Sequence, residues 1–200
     1  MSHLPLTLLH RQKYIQDQLN ESAETKKKIF KECAGDILKA VDILIQAFNN
    51  KKKVLICGNG GSAADAQHIA TELVIRMNKS GRPPLAAIAL TTDTSMLTAG
   101  GNDIGFENVF ARQVEALGNS GDVLIAITTS GKSENVNRAI AEAKKRDMTV
   151  IGLLGKDGGS SKDITDIAII VPSNDTQRIQ EGHITIAHII CGILENEIFG

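Results

Sequence analysis

His68 and Glu72 are the first residues whose types and spacing suggest chemistry. They are four residues apart, and side chains at that spacing share one face of a helix. A histidine and a glutamate so arranged suit either two ligands of one metal ion or a base and its partner. A single helical histidine is more often structural, but this pair follows a glycine-rich turn, which favours a functional site.

The turn before this pair has the composition of an anion-binding site. The apolar run 54–57 is typical of a buried strand, the glycines at 58, 60 and 61 allow a tight turn, and Ser62 opens an Ala-rich helical pattern. Free backbone N–H groups and the positive end of the following helix would point at a ligand here. The turn therefore predicts a phosphate site on the helix that carries His68 and Glu72.

Residues 58–63 also match G-x-G-x-x-A, the fingerprint of dinucleotide-binding turns. That fingerprint needs an acidic residue at the end of the next strand, and Thr91 and Thr92 separate Asp93 from that place. A dinucleotide site is therefore the weaker interpretation. A purely structural turn is also less favoured, since three glycines and a serine exceed what a strand–helix connection needs.

A second candidate loop, 128–133, follows the apolar run 123–128 and reads Thr-Thr-Ser-Gly-Lys-Ser. Its hydroxyl groups suit a phosphate, and the alternative is a helix that Ser133 caps. Gly-Lys-Ser resembles the end of a nucleotide-binding P-loop, but the first glycine of that motif would fall on Ala126, inside the strand. We therefore expect two loops from neighbouring strands to hold one sugar phosphate.

The last helical pattern carries three further polar candidates, Gln180, His183 and His188. Gln180 and His188 are eight residues apart, which is about 12 Å along a helix axis. They could share a metal ion that lies between them; otherwise one of them serves a site in another subunit. His183 is the competing ligand, and the alternative for all three is a polar stripe in an oligomer.

From residue 53 onward, apolar or β-branched runs of strand length alternate with helical patterns. This alternation predicts an α/β fold whose parallel sheet is covered on both faces, with ligands at the carboxyl ends of the strands. The predicted strands are 53–57, 85–90, 123–128, 149–154 and 167–171, and the predicted helices are 62–78, 106–117, 133–146 and 177–199.

Residues 6–49 form a helical pattern ahead of the sheet, which residues 20–22 (Asn-Glu-Ser) could divide into two helices. We expect residues 1–50 to form an N-terminal arm and residues 51–200 the α/β domain, as one structural unit. The arm either packs on a second copy of the chain or folds back on its own sheet.

Composition excludes several classes of protein. With 22 basic and 23 acidic residues, one Tyr and no Trp, the chain offers neither a basic face nor stacking groups for nucleic acid. No apolar run approaches the roughly 20 residues of a membrane span, and MSHLPLTLLHRQ lacks the order of a signal peptide. Cys33, Cys57 and Cys191 lie in apolar contexts, which predicts free thiols and a cytoplasmic protein.

Taken together, four segments resemble one known family. In order they are CGNGGSAADAQHIATEL, GGNDIGF, TTSGKS and QRIQEGHITIAHII. They closely resemble the bacterial phosphoheptose isomerases of the sugar isomerase (SIS) family, across nearly the whole chain. The resemblance implies a five-stranded parallel α/β fold, a homotetramer with active sites at subunit interfaces, and sedoheptulose 7-phosphate as the substrate. Residues 51–200 would then be the SIS domain.

The resemblance also assigns roles by position. Glu72 and His188 become the catalytic pair, and one Zn2+ per subunit is held by His68, Glu72, Gln180 and His188. Asn102 and Asp103 fall in a substrate-binding loop. The implied substrate-binding residues are Asn59, Gly60, Gly61, Ser62, Glu72, Asn102, Asp103, Thr128, Thr129, Ser130, Ser133 and Gln180.

Three positions depart from the family pattern. Thr128 stands where Ser is common, Lys132 where Asn is common, and Gln177 where some members have an acidic residue. A replication-initiator-binding protein shares the fold and the first loop but lacks the catalytic Glu and the final His. Because Glu72 and His188 are both present here, the sequence favours an isomerase over that interaction module.

Overall fold

The computed structural model describes residues 7–200, so the predicted helix start at residue 6 lies outside the described residues. Within that range there are six α-helices and five β-strands. The helices are α1 (Leu8–Asn49), α2 (Gly61–Val74), α3 (Thr94–Asp103), α4 (Val109–Leu117), α5 (Glu134–Lys145) and α6 (Thr176–Phe199). The strands are β1 (Val54–Gly58), β2 (Ala87–Ala89), β3 (Val123–Thr128), β4 (Thr149–Gly155) and β5 (Ile167–Val171).

The five strands form one parallel sheet in the order β2-β1-β3-β4-β5. The predicted five-stranded parallel α/β fold is therefore confirmed. The chain leaves β1 to one side for β2 and returns to its other side for β3. This reversal leaves a crevice between the carboxyl ends of β1 and β3, where ligands of such sheets bind. The glycine loop follows β1 and the hydroxyl loop follows β3, and Gly58 pairs with Ile127 where the two strands end.

Two apolar layers cover the sheet. The layer with α1, α2 and α6 packs on Val54 and Ile56, and the layer with α4 and α5 packs on Leu55 and Cys57. Every residue of β1 and β3 is buried. This explains why these strands are continuous apolar runs: alternate side chains point to opposite faces of the sheet, and a helix layer covers each face. Burying each large aliphatic side chain stabilises the fold by about 1.5–3 kcal/mol.

Helix α1 is one continuous helix of 42 residues, so the predicted division at residues 20–22 is wrong. Gln18, just before that point, is tied to α6, because Arg178 donates to its backbone carbonyl at 2.8 Å. From Thr25 onward α1 buries residues against its own chain, whereas its N-terminal part buries none. The helix ends at Asn49, and Lys51 follows with a φ of 58°.

Helix α3 was not predicted, and it places Asn102 and Asp103 at a helix end instead of in a loop. It buries no residue and contains two adjacent glycines, so its sequence shows no apolar periodicity. Asp93 caps its N-terminus, accepting the Met96 N–H at 2.8 Å. That carboxylate therefore serves the helix start, which removes the residue that the dinucleotide interpretation required.

The remaining differences lie at the ends of elements. Helix α2 ends at Val74, four residues before the predicted end, because the N–H groups of Met77 and Asn78 donate to Glu195. The three cysteines are buried and free. Among residues 7–200, no helix combines the length and apolarity needed to cross a membrane.

Candidate active site

Helices α2 and α6 bring three of the predicted residues together. Nε2 of His68 lies 3.1 Å from Oε1 of Glu72 and 3.2 Å from Nε2 of His188. The two imidazole rings meet edge to face, with centroids 4.9 Å apart. One ligand atom from each of the three side chains falls within 4.8 Å of the others.

The chemistry of this cluster fits a metal ion. A neutral imidazole nitrogen either donates or accepts, so Nε2 of His68 cannot satisfy both neighbours with one proton. A cation between the three atoms would instead meet a lone pair from each of them. Two imidazoles and a carboxylate are a common ligand set for a divalent transition metal, with further positions left for another ligand or the substrate.

Gln180 lies at the other end of α2, beside the glycine loop. A Cβ on Gly61 would overlap the side-chain nitrogen of Gln180, so the two residues are in close contact. Gln180 thus contacts the first residue of α2, and His188 contacts His68 further along the same helix. Both contacts are made within a single chain.

His183 lies outside the cluster of His68, Glu72 and His188, although its position on α6 made it a candidate ligand. It is fully buried, and its Nε2 lies 2.8 Å from the carbonyl oxygen of Leu154. Burial lowers its pKa to about 4, more than the bond to Leu154 raises it. A neutral histidine that donates to a strand carbonyl holds α6 against the sheet.

The glycine loop is built by backbone geometry. Gly60 has a φ of 56°, a conformation that favours glycine, and it precedes the first turn of α2 without a side-chain cap. The N–H groups of Ser62 and Ala63 bond to the carbonyls of Asn59 and Gly60, each at 3.0 Å, so the Gly61 N–H is the one left for a ligand in this first turn. Ser62 is buried in that turn, with 3% of its surface exposed.

The hydroxyl loop has a related construction at the start of α5. Ser133 occupies the N-cap position but makes no side-chain cap, so the capping bond of the alternative interpretation is absent. Its hydroxyl instead pairs with that of Thr128 at 3.0 Å. Ser130 accepts the Lys132 N–H at 3.2 Å, which folds the loop back on itself.

A second segment braces the hydroxyl loop from the side of β4. The carbonyl oxygen of Gly131 accepts from Ser160 and from both the N–H and the hydroxyl of Ser161. Asn137 on α5 joins the same group, donating to Ser160 and accepting from Ser161. Gly131 has a φ of 63° and no room for a Cβ against Gly158, so this approach requires glycine.

Asn102 and Asp103 stand apart from these loops. The amide of Asn102 donates to the carboxylate of Asp103 at 2.6 Å, and both residues are exposed. In the part of the chain that the structure describes, neither side chain hydrogen bonds to the glycine loop or the hydroxyl loop.

A buried ion pair fixes the far end of the site. Glu195 on α6 accepts from Arg82 at 2.7 Å and from the N–H groups of Met77, Asn78 and Lys79. Burial alone would raise the pKa of Glu195, but these bonds lower it to about 2. Arg82 also donates to the carbonyl of Glu72 at 2.6 Å. The carboxyl end of α2, which bears Glu72, is thereby tied to the helix that bears His188.

Several supporting residues were missed in the sequence. They are Asn135, Asn137, Ser160, Ser161, Arg82 and Glu195. Each is a common surface residue type, and its bonds join segments that are distant in sequence. No local pattern marks them, although the segment Gly158-Gly159-Ser160-Ser161 signals a tight turn.

Comparison with known proteins defines the class. A family model described as the SIS domain matches residues 17–155. The chain therefore belongs to the SIS domain family.

Several relatives at 40% identity or more are phosphoheptose isomerases. A phosphoheptose isomerase from a Nitratiruptor species is 59% identical over 182 residues, which are 91% of this chain and 97% of that protein. The structure of phosphoheptose isomerase GmhA from Neisseria gonorrhoeae is 45% identical, with a TM-score of 0.87 and coverage of 92% and 98%. A phosphoheptose isomerase structure from Francisella tularensis is 40% identical, with a TM-score of 0.90 and coverage of 96% and 100%.

Proposed function

We propose that this chain is an aldose–ketose isomerase that converts sedoheptulose 7-phosphate to D-glycero-D-manno-heptose 7-phosphate. One observation carries the proposal: His68 and Glu72, on the helix that begins at the glycine loop, meet His188 of α6. The names of the relatives support the reaction, and this product would begin heptose synthesis for lipopolysaccharide or another surface glycan. The sugar phosphate would lie between the two loops at the carboxyl ends of β1 and β3.

The two loops and their neighbours form the proposed substrate site. The hydroxyls of the second loop and the free N–H groups at the start of α5 suit the phosphate. The glycine loop and Gln180 suit the sugar hydroxyls. The proposed substrate-binding residues are Asn59, Gly60, Gly61, Ser62, Glu72, Asn102, Asp103, Thr128, Thr129, Ser130, Ser133 and Gln180.

Glu72 and His188 are the proposed catalytic pair. Glu72 takes a proton from C1 of the ketose and returns it to C2 through an enediolate. His188 moves the other proton from the C1 hydroxyl to the C2 oxygen, a task for which histidine is suited near neutral pH. Their side chains both adjoin His68, so they can act on adjacent carbons of one substrate.

His68, Glu72, Gln180 and His188 are the proposed ligands of one Zn2+ per subunit. The convergence of His68, Glu72 and His188 supports this set, while Gln180 beside Gly61 would reach toward them along the α2–α6 seam. A bound zinc ion would polarise the substrate carbonyl and stabilise negative charge on its oxygens.

The assembly that we propose is a cytoplasmic homotetramer with active sites at subunit interfaces. Support comes from the N-terminal part of α1, where Leu8, Leu9, Ile15 and Leu19 are each at least 59% exposed. Apolar surface of this extent on one helix is typical of a face that another chain covers.

The test is turnover. Assembled, zinc-supplemented protein is incubated with sedoheptulose 7-phosphate, and the aldoheptose phosphate is followed by NMR. Absence of product would overturn the isomerase proposal.

The second candidate is a non-catalytic SIS tetramer that binds a replication initiator. The convergence of Glu72 with His188 argues against it, since an interaction module needs neither. Pull-down with the purified initiator tests it, and retention of the initiator by protein that lacks turnover would favour this second candidate.

A further inference from the structure

Two side-chain amides join the glycine loop to the helix behind the hydroxyl loop. The Nδ2 of Asn59 donates to Oδ1 of Asn135 at 2.9 Å, and the Nδ2 of Asn135 donates to Oδ1 of Asn59 at 2.8 Å. Asn59 directly follows β1, and Asn135 is the second residue of α5. The pair thus spans the crevice between the two loops near its base.

The two bonds fix both amides relative to one another. Each carbonyl accepts and each NH2 donates within the pair, and Oδ1 of Asn135 also accepts the Val136 N–H at 3.0 Å. Asn135 has 5% of its surface exposed. Truncating Asn59 would leave the buried amide of Asn135 without its partner, which costs about 1–3 kcal/mol.

We propose that Asn135 is a positioning residue, and that its amide pair with Asn59 fixes the separation of the two loops that hold the sugar phosphate. This inference rests on the proposed function. The bonds from Ser160 and Ser161 to Gly131 hold the hydroxyl loop from the opposite side, so the amide pair controls its distance from the glycine loop.

The test is a double-mutant cycle with Asn59→Ala, Asn135→Ala and the double variant. The dissociation constants for sedoheptulose 7-phosphate and for inorganic phosphate are measured by calorimetry, together with KM, kcat and the melting temperature. Light scattering checks that all variants assemble alike. Gln113→Ala is the matched control, since Gln113 is another buried amide, with bonds to the carbonyls of Leu90 and Val109.

Each single variant should weaken sedoheptulose 7-phosphate binding by about tenfold, the equivalent of one lost buried hydrogen bond. KM should rise in the same ratio while kcat changes less. The double variant should bind no worse than either single variant, because each single substitution already breaks the same amide pair. Gln113→Ala should melt at a lower temperature and bind the substrate as the wild type does.

Three results would overturn the inference: unchanged substrate binding in Asn135→Ala, additive losses in the double variant, or an equal loss in Gln113→Ala. Wild-type protein that binds sedoheptulose 7-phosphate without isomerising it refutes the proposed function, and the binding cycle then still tests the amide pair. Wild-type protein that binds neither sedoheptulose 7-phosphate nor inorganic phosphate overturns both.

Discussion

His183 and His188 lie five residues apart on α6 and have opposite surroundings. His183 is buried and bonded to the carbonyl of Leu154, whereas His188 is partly exposed and faces His68. The first is placed to hold a helix on a sheet, and the second is placed to meet a metal ion or a substrate. The sequence alone left both as candidates, because burial decides between them and depends on how α6 packs.

Removing His188 and removing His183 should therefore have different effects. His188→Ala should lose the bound zinc with little change in stability. His183→Ala should keep the zinc but lower the free energy of unfolding by about 2 kcal/mol, through a cavity and an unsatisfied carbonyl. Elemental analysis after zinc is added back, paired with denaturant unfolding, separates the two. Loss of zinc in His183→Ala with retention in His188→Ala would reverse the assignment.

The lowered pKa of His183 predicts a pH dependence of stability. Its folded pKa of about 4 lies below the ordinary value of 6.5. Between those values the unfolded chain takes up a proton that the folded chain refuses, so this contribution is complete above pH 6.5 and is lost as the pH falls toward 4. The loss amounts to about 3 kcal/mol.

In metal-free protein, His183→Gln should flatten this dependence, measured by urea unfolding from about pH 7 down to about pH 4. His10→Gln, at an exposed position, is the control and should leave it unchanged. A dependence as steep in His183→Gln as in the wild type would contradict the assignment.

At the scale of elements, the strands could be predicted because each carries its own signal. Strand 123–128 is buried on both faces and is therefore a short apolar run, and 167–171 is an equally apolar run at the sheet edge; both were located to the residue. Helix α3 could not be predicted, since a helix without buried residues needs no apolar stripe. Its stability comes from the Asp93 cap and from packing of Gly100 near Val109.

The contact between α2 and α6 gives the next prediction. Gly61→Ala should displace Gln180, because the added Cβ overlaps its amide, and should lower kcat/KM by about tenfold or more. The backbone at Gly61 accepts alanine, so the fold should persist. Gly35→Ala is the matched control, since its Cβ meets nothing within 4 Å, and it should stabilise α1 by about 1 kcal/mol. Wild-type kcat/KM in Gly61→Ala would show that Gln180 has no part in the reaction.

At the scale of the whole molecule, the two halves of helix α1 pack differently. Its second half covers the chain's own sheet, and its first half leaves Ile15 and Leu19 exposed. The sequence could not separate these two roles, because the apolar positions have helical spacing in both halves. We propose that a second chain covers the first half.

Ile15→Glu with Leu19→Glu should prevent tetramer formation without unfolding the chain. The control is Lys13→Gln with Asn20→Glu, which makes the same change of two charges on the opposite face of α1. Light scattering should give a smaller mass for the first variant alone, with turnover lost in parallel and unchanged helix content by circular dichroism. A wild type that is monomeric at micromolar concentration would contradict the proposed assembly.

The reactive residues of the candidate site could be predicted from the sequence, but the residues that hold them in place could not. His68 and Glu72 share a helix face, so spacing alone places them together, and the structure adds His188. Asn135 and Arg82 act through bonds to segments 76 and 10 residues away. Such contacts arise from the strand order, which a local pattern does not encode.

The central claim is proton transfer by Glu72, and the direct measurement is isomerisation in deuterated water. NMR of the products follows deuterium at C2 of the aldose and at C1 of the ketose. The wild type should produce deuterated aldoheptose phosphate, and Glu72→Gln should give neither product nor exchange, while His183→Gln gives both. Exchange by Glu72→Gln at the wild-type rate would contradict the claim.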